Sequence, residues 1–143
     1  FPKSWGLPNQ YNEVIRYMNA NNNTAFIVKP SAGAQGKGIY LALNSQNISP
    51  KEDAIVQTYI TRPLLVNGYK FDLRIYALVT CCEPLRLFVY KEGLCRFCTT
   101  PYVMPNNKNF TNSYMHLTNY SINKKERIAI ADITIKMAMP CLE

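Results

Sequence analysis

Asn67-Gly68 is the strongest hairpin signal in the chain, and the residues after it set the architecture. From Tyr69 to about Cys82 the sequence alternates. Phe71, Leu73, Ile75, Ala77 and Val79 fall on one face of a strand, and Lys70, Asp72, Arg74 and Tyr76 on the other. Such a strand is expected to turn its apolar face to a core and its charged face outward. Leu85 to Tyr90 and Leu94 to Cys98 read as a second hairpin turning at Glu92-Gly93. Upstream, Ala25 to Lys29 and Gly38 to Ala42 form a strand, loop, strand unit, and Ala54 to Ile60 reads as a buried strand. Asn9 is placed to cap a helix whose Tyr11, Val14, Ile15 and Met18 make one apolar stripe, ending in Asn21-Asn22-Asn23. Pro101 to Ser113 is a polar loop, and Ile128, Ile130, Ile133 and Ile135 suit a strand or a short helix equally. The expected fold is α+β, mostly antiparallel sheet with flanking helices and without βαβ alternation.

A chain of 143 residues, 48% of them hydrophobic, has enough apolar material for one core and too much for a disordered tail. Lys and Arg number 16 against 9 Asp and Glu, and the net charge of +7 favours an acidic partner such as a nucleotide, nucleic acid or an acidic protein tail. No run of roughly 18 apolar residues is present, so no membrane span is expected. The sequence begins without Met and reads as an interior piece of something longer. Five cysteines are an odd set, read as reduced and partly buried thiols. Cys95-x-x-Cys98 has only His116 and Cys141 as further soft ligands, too few for a metal knuckle.

Two constellations can carry chemistry. Lys29-Pro30-Ser31-Ala32-Gly33-Ala34-Gln35-Gly36-Lys37-Gly38-Ile39 sets glycines and two lysines around one loop, which lets backbone N–H groups approach a phosphate while the lysines neutralise it. It is neither a Walker loop nor a dinucleotide fingerprint, and an ordinary glycine hairpin with a solvated Lys37 accounts for the same residues. Lys70, Asp72 and Arg74 place a cation, an anion and a cation on one strand face. That order suits a triphosphate with its divalent metal and an anionic intermediate, although a solvated salt-bridge ladder has the same pattern. Arg96, on the opposite side of its strand from Phe97, is able to join that surface. His116, the single histidine, reads as a hydrogen-bonded structural residue more readily than as a base, and Thr118 and Asn119 beside it offer neutral oxygens.

In order along the chain stand Phe1-Pro2-Lys3-Ser4-Trp5-Gly6-Leu7-Pro8, Phe26-Ile27-Val28-Lys29-Pro30 with the glycine loop, and Gln57-Thr58-Tyr59-Ile60. Lys70-Phe71-Asp72-Leu73-Arg74, Phe88 to Phe97, Pro101-Tyr102 and His116-Leu117-Thr118-Asn119-Tyr120-Ser121-Ile122-Asn123 follow. Together these resemble the tubulin tyrosine ligase-like family from Phe1 to about Lys125. The wording around Lys91 to Tyr102 is more similar to its glutamate-adding members, the tubulin polyglutamylases.

The resemblance implies an incomplete ATP-grasp-like domain over residues 1–125, using ATP and Mg²⁺ to join free glutamate to the acidic C-terminal tails of tubulin. By the same resemblance Lys29 and Lys70 contact ATP phosphates. The loop of Gly33, Gln35, Gly36, Lys37 and Gly38 closes over them, and Gln57, Tyr59 and Ile60 form the hinge that meets adenine. Asp72 lies near the triphosphate and its metal, Arg74 and Arg96 face the acceptor carboxylate and its phosphorylated form, and Thr118 and Asn119 line the phosphate and incoming amino-acid side. It further implies a cytoplasmic protein on microtubules, including those of cilia or flagella, with neither membrane nor nucleic acid as partner.

The metal-binding acidic residues and E-x-N segment of that family have no counterpart after Asn119, where Glu126, Asp132 and Glu143 are the only acidic residues. Residues 126–143 therefore read as a divergent or cut C-terminal segment without assignable metal ligands. The competing class is a non-catalytic basic module that binds acidic polymers, tubulin tails or nucleic acid, through its lysines, arginines and interleaved aromatics.

Overall fold

A computed structural model of the chain describes residues 1–124. The candidate strand or helix at Ile128 to Ile135, the divergent segment at 126–143 and Cys141 lie outside the described residues.

The first half of the chain folds into a four-stranded antiparallel sheet in the order β1-β4-β2-β3, from β1 (Ser4–Gly6), β2 (Phe26–Pro30), β3 (Tyr40–Ala42) and β4 (Ala54–Thr58). Helix α1 (Tyr11–Ala20) lies on one face because Val14 and Met18, one turn apart, are both apolar and buried. They pack with Trp5, Phe26, Val28, Ala42, Ala54 and Val56 into the main core. Alternation sends Ile27, Leu41 and Tyr59 to the sheet's other face, where Ala25, Leu43 and Phe110 join them. Gln10, rather than Asn9, precedes the helix, and its side chain makes no cap; its Oε1 instead accepts the Gly6 N–H at 2.7 Å, which ties β1 to the helix.

The second half begins with β5 (Leu65–Val66) and β6 (Tyr69–Arg74), joined at Asn67-Gly68 as expected. Both turn residues have positive φ, 51° and 81°, the backbone that a two-residue hairpin requires and that Asn and Gly tolerate best. The expected continuous strand to Cys82 is interrupted. β6 ends at Arg74, β7 (Ala77–Cys82) follows, and the chain reverses at Glu83-Pro84 into β8 (Leu85–Val89) and then β9 (Leu94–Phe97).

Glu92-Gly93 is therefore not a hairpin tip. β8 pairs with β7 and β9 with β6, so Tyr90 to Gly93 is the longer arm of an irregularity facing Ile75 and Tyr76, bridged by the Tyr90 N–H to the Tyr76 carbonyl at 2.9 Å. Glycine and charge made Glu92-Gly93 look like a turn, but a mismatch between paired strands uses the same residue types. The expected apolar core face is not buried either. Leu73, Ile75 and Val79 are exposed, as are Leu78 and Phe88 on the β7–β8 ribbon at 62% and 61%. Period two assigns residues to a face without supplying a layer to cover it.

Two single-turn helices, α2 (Ser113–His116) and α3 (Tyr120–Asn123), finish the described chain. Asn112 caps α2 by accepting the Tyr114 N–H at 3.1 Å. Among the described residues Cys81, Cys82, Cys95 and Cys98 are free thiols, and no helix is long and apolar enough to cross a membrane.

Candidate functional site

The site is assembled on the sheet face opposite α1. Lys29 follows Ile27 by two residues on β2 and so shares that face, and Gln57 stands across from Ile27 on β4. Lys29 Nζ donates to Gln57 Oε1 at 2.8 Å, and Gln57 Nε2 donates to Ser4 Oγ at 2.8 Å. The Gln57 amide is thereby fixed at both ends, and with it the Lys29 ammonium.

Lys70 on β6 reaches the same region. Its Nζ donates to the Tyr59 hydroxyl at 2.9 Å and to the His116 carbonyl at 2.7 Å. Burial pushes this ammonium below its ordinary range, and the charge of Lys29 pushes in the same direction, while Cys98 and Asp72 oppose the shift. The two lysines, from different strands, thus feel one another's charge. His116, 1% exposed, lies with its Nδ1 3.3 Å from the Tyr59 hydroxyl and its Nε2 3.1 Å from the Asn109 carbonyl. Burial lowers its pKa, so the imidazole is held neutral. The buried Cys98 thiol is pushed up to about 11, chiefly by the same loss of solvent.

Asp72, two residues beyond Lys70, shares its face. Both carboxylate oxygens are engaged by Arg96 of β9, Nε to Oδ1 at 2.7 Å and Nη2 to Oδ2 at 2.6 Å, and the Thr118 hydroxyl donates to Oδ2 at 2.8 Å. The register that sets Asp72 opposite Arg96 makes this fork possible. The hydrogen bond to Asp72 raises the Arg96 pKa still further.

The loop between β2 and β3 packs against α3 and Asn119 before it. Gly33, Gln35, Gly36 and Gly38 all have positive φ. Gly36 is seated so tightly that a Cβ there would come 2.7 Å from the Asn119 Cγ and 2.9 Å from the Ile122 Cδ1. Ser121 Oγ donates to the Gln35 carbonyl, which clasps the loop to α3.

Lys29, Gln57, Tyr59, Lys70, Asp72, Arg96, Thr118, Asn119 and the glycine loop are thus linked into adjoining contacts, though they come from five stretches of chain. Arg74 continues the Asp72 face, but its guanidinium lies 5.8 Å from the Tyr76 ring centroid, outside the Asp72 fork. Lys37 is exposed, and Ile60 presents 59% of its surface. Tyr102, Ser121 and Ile122 have a place in the resembling segments but no role in the site from sequence; here the Tyr102 hydroxyl donates to the Thr61 carbonyl at 2.8 Å, and Ser121 and Ile122 seat the loop. It read His116 as structural, and the ring is bonded on both nitrogens. A cavity of about 220 Å³ between β3 and residues 110–117 touches His116 but none of the charged groups. Among the described residues no three His, Cys, Asp or Glu side chains converge to hold a metal ion.

The sequence model of the Tubulin-tyrosine ligase family matches residues 1–134. Over 132 residues the chain is 47% identical to human tubulin polyglutamylase TTLL13, covering 92% of this chain and 16% of that protein. Its identity to tubulin polyglutamylase ttll6 of Danio rerio is 48% over 132 residues, 92% of this chain and 17% of the relative. Against human tubulin polyglutamylase TTLL6 it is 51% over 124 residues, 87% of this chain and 14% of that protein. The chain therefore spans roughly one-sixth of the length of these relatives. With that match over nearly all its residues, the chain belongs to the tubulin-tyrosine ligase family.

Proposed function

We propose that this chain carries the nucleotide- and acceptor-binding part of an ATP-grasp ligase that adds glutamate to the acidic tails of tubulin, on microtubules and in cilia or flagella. The observation that carries the reading is the meeting of Lys29, Lys70, Asp72 and Arg96, from segments distant in sequence, near a glycine loop seated on Asn119. Two ammonium groups and a guanidinium, brought near one another from two sheets, suit a polyphosphate beside a carboxylate. The relatives' names support tubulin as acceptor, and the +7 charge supports attraction of an acidic tail.

A carboxylate is a poor electrophile. The bound nucleotide supplies the γ-phosphoryl group that turns the acceptor glutamate into an acyl phosphate, with ADP leaving. The amine of free glutamate then attacks the acyl carbon, an isopeptide bond forms, and inorganic phosphate departs. In this reading Lys29 and Lys70 hold the phosphates, Gly33 to Gly38 cover them, and Gln57, Tyr59 and Ile60 border the adenine. Arg96, oriented by Asp72, holds the acceptor carboxylate and its phosphorylated form, with Arg74 at the outer edge. Thr118 and Asn119 line the phosphate and amino-acid side. Closing the loop keeps water from the mixed anhydride. In this reading Asp72 would lie beside a magnesium ion carried by the triphosphate, which would neutralise part of its charge.

Calorimetric titration of the whole chain with MgATP tests the reading. Lys29→Ala and Lys70→Ala are each expected to weaken binding at least about tenfold, the scale of one lost charge-assisted contact. Unchanged affinity in both variants rejects it, and salt-sensitive binding of RNA and tubulin-tail peptide alike, indifferent to MgATP, establishes the acidic-polymer module instead.

A further inference from the structure

We infer that Tyr59 and His116 are positioning residues for Lys70: together they form a fixed cradle that aims one N–H of its ammonium at an anion. This rests on the nucleotide reading for the identity of that anion, but the cradle itself stands on geometry. A lysine ammonium has three N–H bonds, and two are used here, on the Tyr59 hydroxyl at 2.9 Å and the His116 carbonyl at 2.7 Å. One donor is left.

The Tyr59 oxygen that accepts from Lys70 keeps its own proton, and His116 Nδ1 at 3.3 Å is the nearer of two acceptors for it, the His116 carbonyl at 3.5 Å being the other. Nδ1 is free to accept because His116 Nε2 faces the Asn109 carbonyl at 3.1 Å, and only an N–H satisfies a carbonyl. Through Nδ1 the chain of donors runs one way, from Lys70 through Tyr59 and His116 to Asn109. Tyr59 and His116 are both buried, and their rings meet edge to face at 5.8 Å, as do those of Tyr102 and His116. The aromatic packing holds the hydroxyl and the imidazole in place. A lysine on a flexible four-carbon stem, otherwise free among many rotamers, is thereby held to one.

Tyr59→Phe removes the hydroxyl and little else. The first readout needs no nucleotide: in the ¹⁵N-lysine-labelled whole chain, the Lys70 ammonium is expected to give a resolved, slowly exchanging signal, lost in Tyr59→Phe while the thermal melt stays cooperative. His116→Asn, which keeps an acceptor near the Nδ1 position, is expected to retain the signal that His116→Leu loses. The second readout compares ligands. Because the ring that borders the adenine is kept, Tyr59→Phe is expected to weaken ATP about tenfold and adenosine less than about twofold, with no further loss on adding Lys70→Ala. Absence of the wild-type ammonium signal, or equal losses for ATP and adenosine, overturns the cradle. An intact signal in a chain that does not bind ATP leaves the cradle standing and removes the nucleotide reading.

Discussion

Arg96 grips Asp72 through two parallel hydrogen bonds of 2.7 and 2.6 Å, spending its Nε and one Nη2 proton and leaving the Nη1 edge of the guanidinium for something else. Both side chains are about one-third exposed, at 31% and 36%, so solvent weakens the pair without dissolving its geometry. Asp72→Asn is expected to lower stability by about 1–2 kcal/mol. Arg74→Gln, which removes only a guanidinium lying against Tyr76, is expected to stay within about 0.5 kcal/mol. Urea midpoints of the two variants decide the point; equal shifts contradict it.

Gly36 and Gly68 separate crowding from backbone strain. Their φ values are 80° and 81°, but a Cβ on Gly68 meets nothing within 4 Å, whereas one on Gly36 runs into Asn119 and Ile122. Gly68→Ala is expected to cost about 1 kcal/mol and Gly36→Ala clearly more, or else to lift the loop from α3. Combining Gly36→Ala with Asn119→Ala should recover part of the difference. Denaturation curves measure the cost, and amide hydrogen exchange around Gln35 reports the opening of the loop.

Below pH 7 the buried imidazole of His116 should govern part of the stability. Its pKa is lowered by burial beneath the ordinary 6.5, so the unfolded chain binds the proton more readily than the folded one. The contribution is complete above about pH 6.5 and is lost as pH falls from there toward the folded value. Thermal melts between about pH 5 and 7.5 should show this slope in the wild type and a flatter one in His116→Asn. Parallel profiles would contradict it.

Thiol labelling should rank the cysteines by access. Cys82 is exposed, Cys81 and Cys95 are partly covered, and Cys98 is buried with its pKa near 11. Among the four described cysteines, iodoacetamide at pH 8 is expected to modify Cys82 first and Cys98 only upon unfolding, because both access and thiolate fraction are low there. Mass spectrometry of timed digests reads the order. Early labelling of Cys98 in the folded chain would contradict its placement.

Local signals told much of this structure, and long-range ones little. The stripe of Val14 and Met18, the Asn67-Gly68 turn and the shared face of Lys70 and Asp72 follow from periods of 3.6 and 2 and from turn chemistry. Arg96 could be placed opposite Phe97 by the same rule, although its pairing with Asp72 needed the register. Glu92-Gly93 misled because a turn and a strand irregularity favour the same residues. The buried side for Leu73, Ile75 and Val79 failed because alternation carries no information about what packs against a face. The seat of Gly36 on Asn119, and the approach of Tyr59 to Lys70 and His116, join segments whose separation no spacing rule encodes.

The clasp between Ser121 and Gln35 links residues separated by 86 positions, while the four-stranded sheet and its helix are complete by Thr58. A ribosome releasing the polypeptide from its N-terminus thus delivers every strand of the main core long before it delivers the groups that pin the glycine loop. Until Asn119 to Ile122 emerge, that loop lacks its seat on α3, so the surface around it is the last part of the described chain to mature.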